Sequence, residues 1–193
     1  DVNGKVTAKA AGTGVITAKS SIGKTGTYKM TVKTPSVKLN VTSRTLYVKG
    51  APATVALKTT KTGVSGTITY TSSNTKVASV DKNGKVTAKA AGTTVITAKC
   101  GSYKATCRIT VKNPTIKATA SVGTLFAGGT SQIKVTKTGL PAKVTYTSSN
   151  KSVATVSASG KVTAKKAGTT VITAKCGSYK ATCKITVKKG TLK

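Results

Sequence analysis

The chain has 193 residues and a formal net charge of +31, from 33 Lys or Arg against two acidic residues, with no His. General acid–base catalysis needs a group titrating near neutrality or a pair of carboxylates, and a calcium site needs several, so the composition excludes both. With four Cys, no Trp and one Phe, any interior is built from small side chains and is of modest stability.

From the N-terminus, the phrase GKVTAKAAGTGVITAK at residues 4–19 returns as GKVTAKAAGTTVITAK at 84–99 and as GKVTAKKAGTTVITAK at 160–175. Residues 70–112 align without a gap on residues 146–188. Repetition at this period marks a tandem array of small domains. Asp1 aligns with Asp81, in the middle of the second copy, so the array is expected as the C-terminal half of a module at 1–34 and fuller modules at 35–113 and 114–193. Two readings of the half-module stay open: a piece of a longer protein, or a strand-deficient half completed by another chain. The joints Thr34-Pro35-Ser36 and Asn113-Pro114-Thr115 are short, which predicts a semi-rigid, rod-like array. Apolar runs of two or three residues fall far below the roughly 20 of a membrane span, so none is expected in this stretch.

Within each copy the segments alternate. In TVITAKC, Val95, Thr97 and Lys99 point one way while Ile96, Ala98 and Cys100 point the other; in CRITV, Cys107, Ile109 and Val111 share a face. Period-two patterning rich in Val, Ile and Thr, cut by regular glycines, predicts an all-β chain of small β-sandwich modules with almost no helix. The expected core of the third module is Leu125, Ile133, Val135, Val144, Tyr146, Val153, Val156, Val162, Ala164, Ile172, Ala174, Ile185 and Val187. The second module offers its counterparts, among them Leu46, Leu57, Tyr70, Val86, Ile96 and Ile109.

The stretch SSNTKVASVDKNGKVTAKAAGTTVITAK at residues 72–99, repeated as SSNKSVATVSASGKVTAKKAGTTVITAK at 148–175, resembles the bacterial immunoglobulin-like domain, group 2. That resemblance covers almost the whole chain and implies an Ig-like sandwich of the kind found in bacterial surface proteins, adhesins, secreted enzymes and some phage virion proteins. It implies no common ligand and no catalytic residues, since fold and function separate here.

Lysine dominates the charge, with Asp1 and Asp81 the only acids. Such density binds polyanions in a salt-sensitive way, so anionic surface polymers or glycans are candidate partners. The simpler account is that Lys occupies the solvent face of each strand, where it also blocks edge-to-edge pairing. Specific nucleic-acid recognition is not expected: only Arg44 and Arg108 offer guanidinium forks, and no aromatic cluster would stack bases.

Cys100 and Cys107 recur as Cys176 and Cys183, while the half-module has Ser20 and Tyr28 near those places. Joint presence and joint absence point to a disulfide within each full module. A two-residue turn at Gly101-Ser102 would set Cys100 opposite Tyr103 and carry the sulfurs beyond the roughly 7 Å Cα limit. A four-residue loop would set Cys100 opposite Cys107 and keep the core face consistent, so that register is expected. Such a disulfide would add only about 2–3 kcal/mol and would place the chain outside a reducing cytosol. Free buried thiols acting as apolar filler remain the alternative. Zinc is excluded by ligand count, and no other metal or cofactor is expected.

The sequence therefore predicts a chain that is not an enzyme. Its first reading is an extracellular or cell-surface stalk of tandem modules, structural or adhesive, in contact with neighbouring modules or subunits of a larger assembly. Two alternatives stay open: a phage virion or filament assembly subunit, and a module binding polyanions or glycans.

Overall fold

The computed structural model describes residues 3–190. Every regular element among them is a strand, as the alternation requires. The first repeat contributes β1 (Gly12–Lys19) and β2 (Thr25–Val32). The second contributes β3 (Ser36–Leu39), β4 (Ser43–Tyr47), β5 (Thr54–Ala56), β6 (Thr59–Thr62), β7 (Thr69–Ser72), β8 (Ala78–Val80), β9 (Lys85–Ala88), β10 (Gly92–Cys100) and β11 (Tyr103–Lys112). The third contributes β12 (Thr115–Ala120), β13 (Thr124–Phe126), β14 (Thr130–Thr138), β15 (Thr145–Ser148), β16 (Ala154–Val156), β17 (Lys161–Ala164), β18 (Gly168–Cys176) and β19 (Tyr179–Lys188).

The third repeat is a sandwich of two four-stranded sheets, ordered β12-β14-β17-β16 and β13-β19-β18-β15. Its pairs are antiparallel except that β13 runs parallel to β19. Between the sheets lie Leu125, Ile133, Val153, Ala154, Val162, Ala164, Ile172, Ile185 and Val187, with Val135, Tyr146 and Val156 half-buried against them. All of these but Ala154 are expected from alternation. Ala154 is fully enclosed because it follows the Ser-Ser-Asn turn into a strand of three residues, too short to show a period.

The second repeat forms the equivalent sheets β4-β11-β10-β7, β3-β6 and β5-β9-β8. The single strand β14 of the third repeat is here divided into β5 and β6, and the residues between them face inward at Leu57 and pair outward at Lys58. Leu57 N–H donates to Gly84 O, and Lys58 N–H donates to Asn40 Oδ1. Gly84 is required where it stands. Its φ is +79°, and a Cβ there would lie 2.6 Å from Leu57 O and 2.8 Å from the Tyr70 ring.

The described residues group into two compact units that do not follow the repeats: Thr45–Thr54 and Ala88–Gly92 belong with the residues from 110 onward, and the remainder forms the other unit. Inside the former unit, Ala51 N–H donates to Gly139 O at 2.9 Å. Gly139 has φ +68°, and a Cβ there would come 2.4 Å from the Tyr47 ring.

Truncating a central inward residue should leave a void that small neighbours cannot fill. Ile172→Ala is expected to destabilise the third repeat by about 2–5 kcal/mol in denaturant titration, against under about 1 kcal/mol for Lys175→Ala on the opposite face.

Candidate functional site

The most distinctive polar constellation joins the Ser-Ser-Asn turn to a threonine in the next long strand. Thr94, only 2% exposed, accepts a hydrogen bond from Asn74 N–H at 2.9 Å and shares hydroxyl bonds with Ser72 at 3.0 Å and Ser73 at 3.1 Å. Ser72 Oγ–H donates to Ala78 O at 2.7 Å, and Val95 N–H donates to Ser73 Oγ at 2.9 Å. The third repeat copies this with Thr170, Ser148, Ser149, Asn150 and Ala154, at 2.9 Å from Asn150 N–H and 2.7 Å to Ala154 O. The hydroxyls and the asparagine N–H groups are all engaged inside the fold. These bonds tie the turn to the strand, which makes the cluster a structural latch. Reading the sequence by motif found the Ser-Ser-Asn turn but missed the threonine. The signal was present: the threonine recurs at the same distance after the turn, Thr94 after Asn74 and Thr170 after Asn150.

The cysteines require a correction. In the third repeat Cys176 faces Tyr179 and Cys183 faces Ile172. Cys183 is thus opposite a residue four positions from Cys176, about 13 Å along the strand, well past disulfide reach. In the second repeat β10 ends at Cys100 and β11 starts at Tyr103, leaving the same two-residue turn. All four of Cys100, Cys107, Cys176 and Cys183 are free thiols, and the expected intramodule pairing is overturned. Cys100 Sγ–H donates to Ser65 O at 3.3 Å and Cys176 to Ala142 O at 2.9 Å, while Cys107 and Cys183 lie against the carbonyls of Arg108 and Lys184. Their role is the apolar filling that the sequence left as the alternative. Burial pushes the Cys107 thiol up, partly offset by the Arg44 guanidinium, so it stays protonated where an ordinary thiol begins to ionise.

The cations form no built pocket. Lys175 and Lys180 sit directly opposite each other on the outward side of β18 and β19, a like-charge pair with no acidic residue anywhere in the third repeat. Lys61 and its counterpart Lys137 turn inward enough to donate to loop carbonyls, Gly66 O and Ala142 O, each at 2.6 Å. The Asp81 carboxylate accepts from the N–H groups of Asn83 and Lys85, both at 2.9 Å, and holds a turn. Among the described residues, no three of His, Cys, Asp or Glu converge to hold a metal.

Two outcomes check these assignments. Thr170→Val preserves shape but strands Asn150 N–H, so it should cost about 1–3 kcal/mol of third-repeat stability in denaturant titration. Intact mass should be the same before and after reduction, and alkylation near pH 8.5 should reach Cys107 only slowly until denaturant is added; a four-hydrogen difference in mass would restore the disulfides.

The family model described as "Intimin, immunoglobulin-like domain" matches the chain twice, at residues 52–102 and 128–178. The two matches are displaced by the same step that relates the repeats. No curated protein matches the chain. Among solved structures, surface layer protein SbsC, domains 1-6, is 20% identical with a TM-score of 0.51, covering 100% of this chain and 37% of that one. The crystal structure of the S-layer protein rSbsC is 21% identical, with the same TM-score of 0.51 and the same coverage of 100% and 37%. A C-terminal intimin fragment in complex with the intimin-binding domain of its translocated receptor is 21% identical over 80% of this chain and 64% of that one, with a TM-score of 0.35. The SbsC likeness shows a shared fold, and this chain spans little more than a third of those structures. The intimin relation rests on the family model alone, and because that model covers over half of the sequence, this chain belongs to the intimin immunoglobulin-like domain family, as a tandem of bacterial Ig-like modules.

Proposed function

We propose that the chain is a non-catalytic structural and adhesive segment of a bacterial surface protein, a stalk whose modules occupy residues 1–34, 35–113 and 114–193. It works outside the cell or at its surface, where the family belongs, and no helix among the described residues is long and apolar enough to cross a membrane. The observation that carries this reading is the double latch. The residues that make the repeats recognisable are consumed in holding the sandwich. Repetition of one module suits reach and multivalent contact. The short joints at Pro35 and Pro114 support a stalk. SbsC, a surface layer protein, uses the same fold in a longer chain. Scattering from the chain in solution tests the stalk: an elongated particle carries it, and a compact globule sinks it.

A second reading adds a partner class, favoured by the Lys175–Lys180 pair. Cations held face to face without carboxylates attract a polyanion, and an anionic wall polymer or acidic glycan supplies one. Affinity for heparin or teichoic acid should fall steeply as salt rises, and the double variant Lys175→Gln, Lys180→Gln should flatten the log–log salt slope by up to about two. Retention that ignores salt, or a slope unchanged in the variant, rules this surface out.

A further inference from the structure

Each full repeat brings a lysine and a buried cysteine onto one loop. Along β14 the inward register runs Ser131, Ile133, Val135 and then Lys137. Lys137 pairs with Lys137's own side of β12 at Ile116, as Val135 pairs with Ala118 and Ile133 with Ala120. The inward set thus ends on a cation. Across the sandwich, β18 turns Ile172, Ala174 and Cys176 inward. The lysine comes from one sheet and the cysteine from the other.

Their heads share an acceptor. Lys137 Nζ–H donates to Ala142 O at 2.6 Å, and Cys176 Sγ–H donates to the same oxygen at 2.9 Å. Nitrogen and sulfur are therefore at most about 5.5 Å apart, within the swing of a lysine side chain. The second repeat places its pair the same way: Lys61 on β6 donates to Gly66 O and Cys100 on β10 to Ser65 O, adjacent carbonyls of the matching loop. The loops differ in sequence, Gly63-Val64-Ser65-Gly66 against Gly139-Leu140-Pro141-Ala142, so the pairing survives a change of loop.

The thiol is enclosed but not sealed. Cys176 is 1% exposed, yet it lines an open groove with Leu140, Pro141, Gly177, Ser178 and Tyr179. A molecule as small as hydrogen peroxide reaches the sulfur from that side. The other thiol of the third repeat cannot answer an oxidised Cys176, because Cys183 lies about 13 Å along the strand pair.

We propose that Lys137 and Cys176 are the two ends of an oxidation-closed cross-link, a sulfur–nitrogen bond that joins the two sheets of the third repeat. Peroxide is the oxidant. Its O–O bond breaks, one oxygen passes to sulfur to give a sulfenic acid, and the other leaves as water. The Lys137 amine, having released a proton to solvent, then attacks the sulfur. The S–O bond breaks, the hydroxyl departs with one nitrogen proton as a second water, and a sulfenamide remains. Sulfur has lost two electrons and the peroxide has gained them. Two equivalents of thiol reverse the step, returning amine and thiol and leaving as a disulfide.

The test exposes the whole chain to a small excess of hydrogen peroxide and maps its peptides without reduction. The expected product is the Lys137 peptide joined to the Cys176 peptide, two hydrogens lighter than the separate pair and parted by dithiothreitol. The melting temperature of the third repeat should rise by at least about 10 °C on closure and fall back on reduction, because the bond closes a loop of about 40 residues. Lys137→Arg keeps a cation beside Ala142 O but offers no attacking amine. Untreated, this variant should melt within about 2 °C of the parent. Treated, it should gain no melting temperature, and its Cys176 should pass on to sulfinic acid. Recovery of Cys176 in the treated parent as a free thiol or as sulfinic acid overturns the proposal. So does a bond to the Gly177 nitrogen, or to Lys49, which lines the same groove.

Discussion

The antiparallel ladder from Gly168↔Val187 to Cys176↔Tyr179 governs the rest of the third repeat. It decides that Ile172, Ala174, Ile185 and Val187 look inward, and therefore what the opposite sheet must supply. Both of its edges are completed, by β15 on one side and β13 on the other, so its backbone groups pair without exposing a sticky edge. Thr170 also lies on this ladder, and through it the Ser-Ser-Asn turn and the enclosed Ala154 are tied to the same strand. A core without Trp, and with Tyr146 only half-buried, depends on this backbone pairing more than a core rich in large side chains would.

Much of this was legible in the sequence. Alternation at TVITAK and at CKITV assigns the buried set almost residue by residue, because period two follows from pleat geometry alone. Strand register was not legible by the same logic. Shifting the pairing by two residues on each strand keeps every side chain on its face, so Cys opposite Cys and Cys opposite Tyr give identical inward sets. The distinction lives in the turn. Gly177 has φ +60° and Ser178 does not share the positive sign, as a two-residue hairpin turn with glycine first requires. Gly-Ser between two alternating runs was the local signal, and the recurring cysteines outweighed it only because a paired loss is also what a disulfide would leave.

The latch shows why a recognisable motif need not be a site. Ser-Ser-Asn must reverse the chain at the rim of a sandwich and leave few backbone groups without partners. Hydroxyls that both donate and accept do this in a small space. The geometry recurs in the two full repeats to within about a tenth of an ångström, 3.0 and 2.9 Å for the first serine and 2.9 Å in both for the asparagine N–H. In the first repeat, Gly14 stands in the threonine position.

Charge then sets the terms on which such modules exist. A chain at +31 with so few carboxylates repels itself, and Lys175 facing Lys180 concentrates that repulsion on one sheet. The same lysines keep the outer faces wet and the strand edges unattractive to other strands. The first repeat reverses this arrangement locally. On β1–β2 the charged residues Lys19 and Lys29 lie on one side, and the side opposite them is free of charge. That side is the counterpart of the inward face of the third repeat, where Ile172 and Ile185 are buried. Contact through cationic outer faces and a packed apolar interior are compatible because they use opposite sides of the same strands.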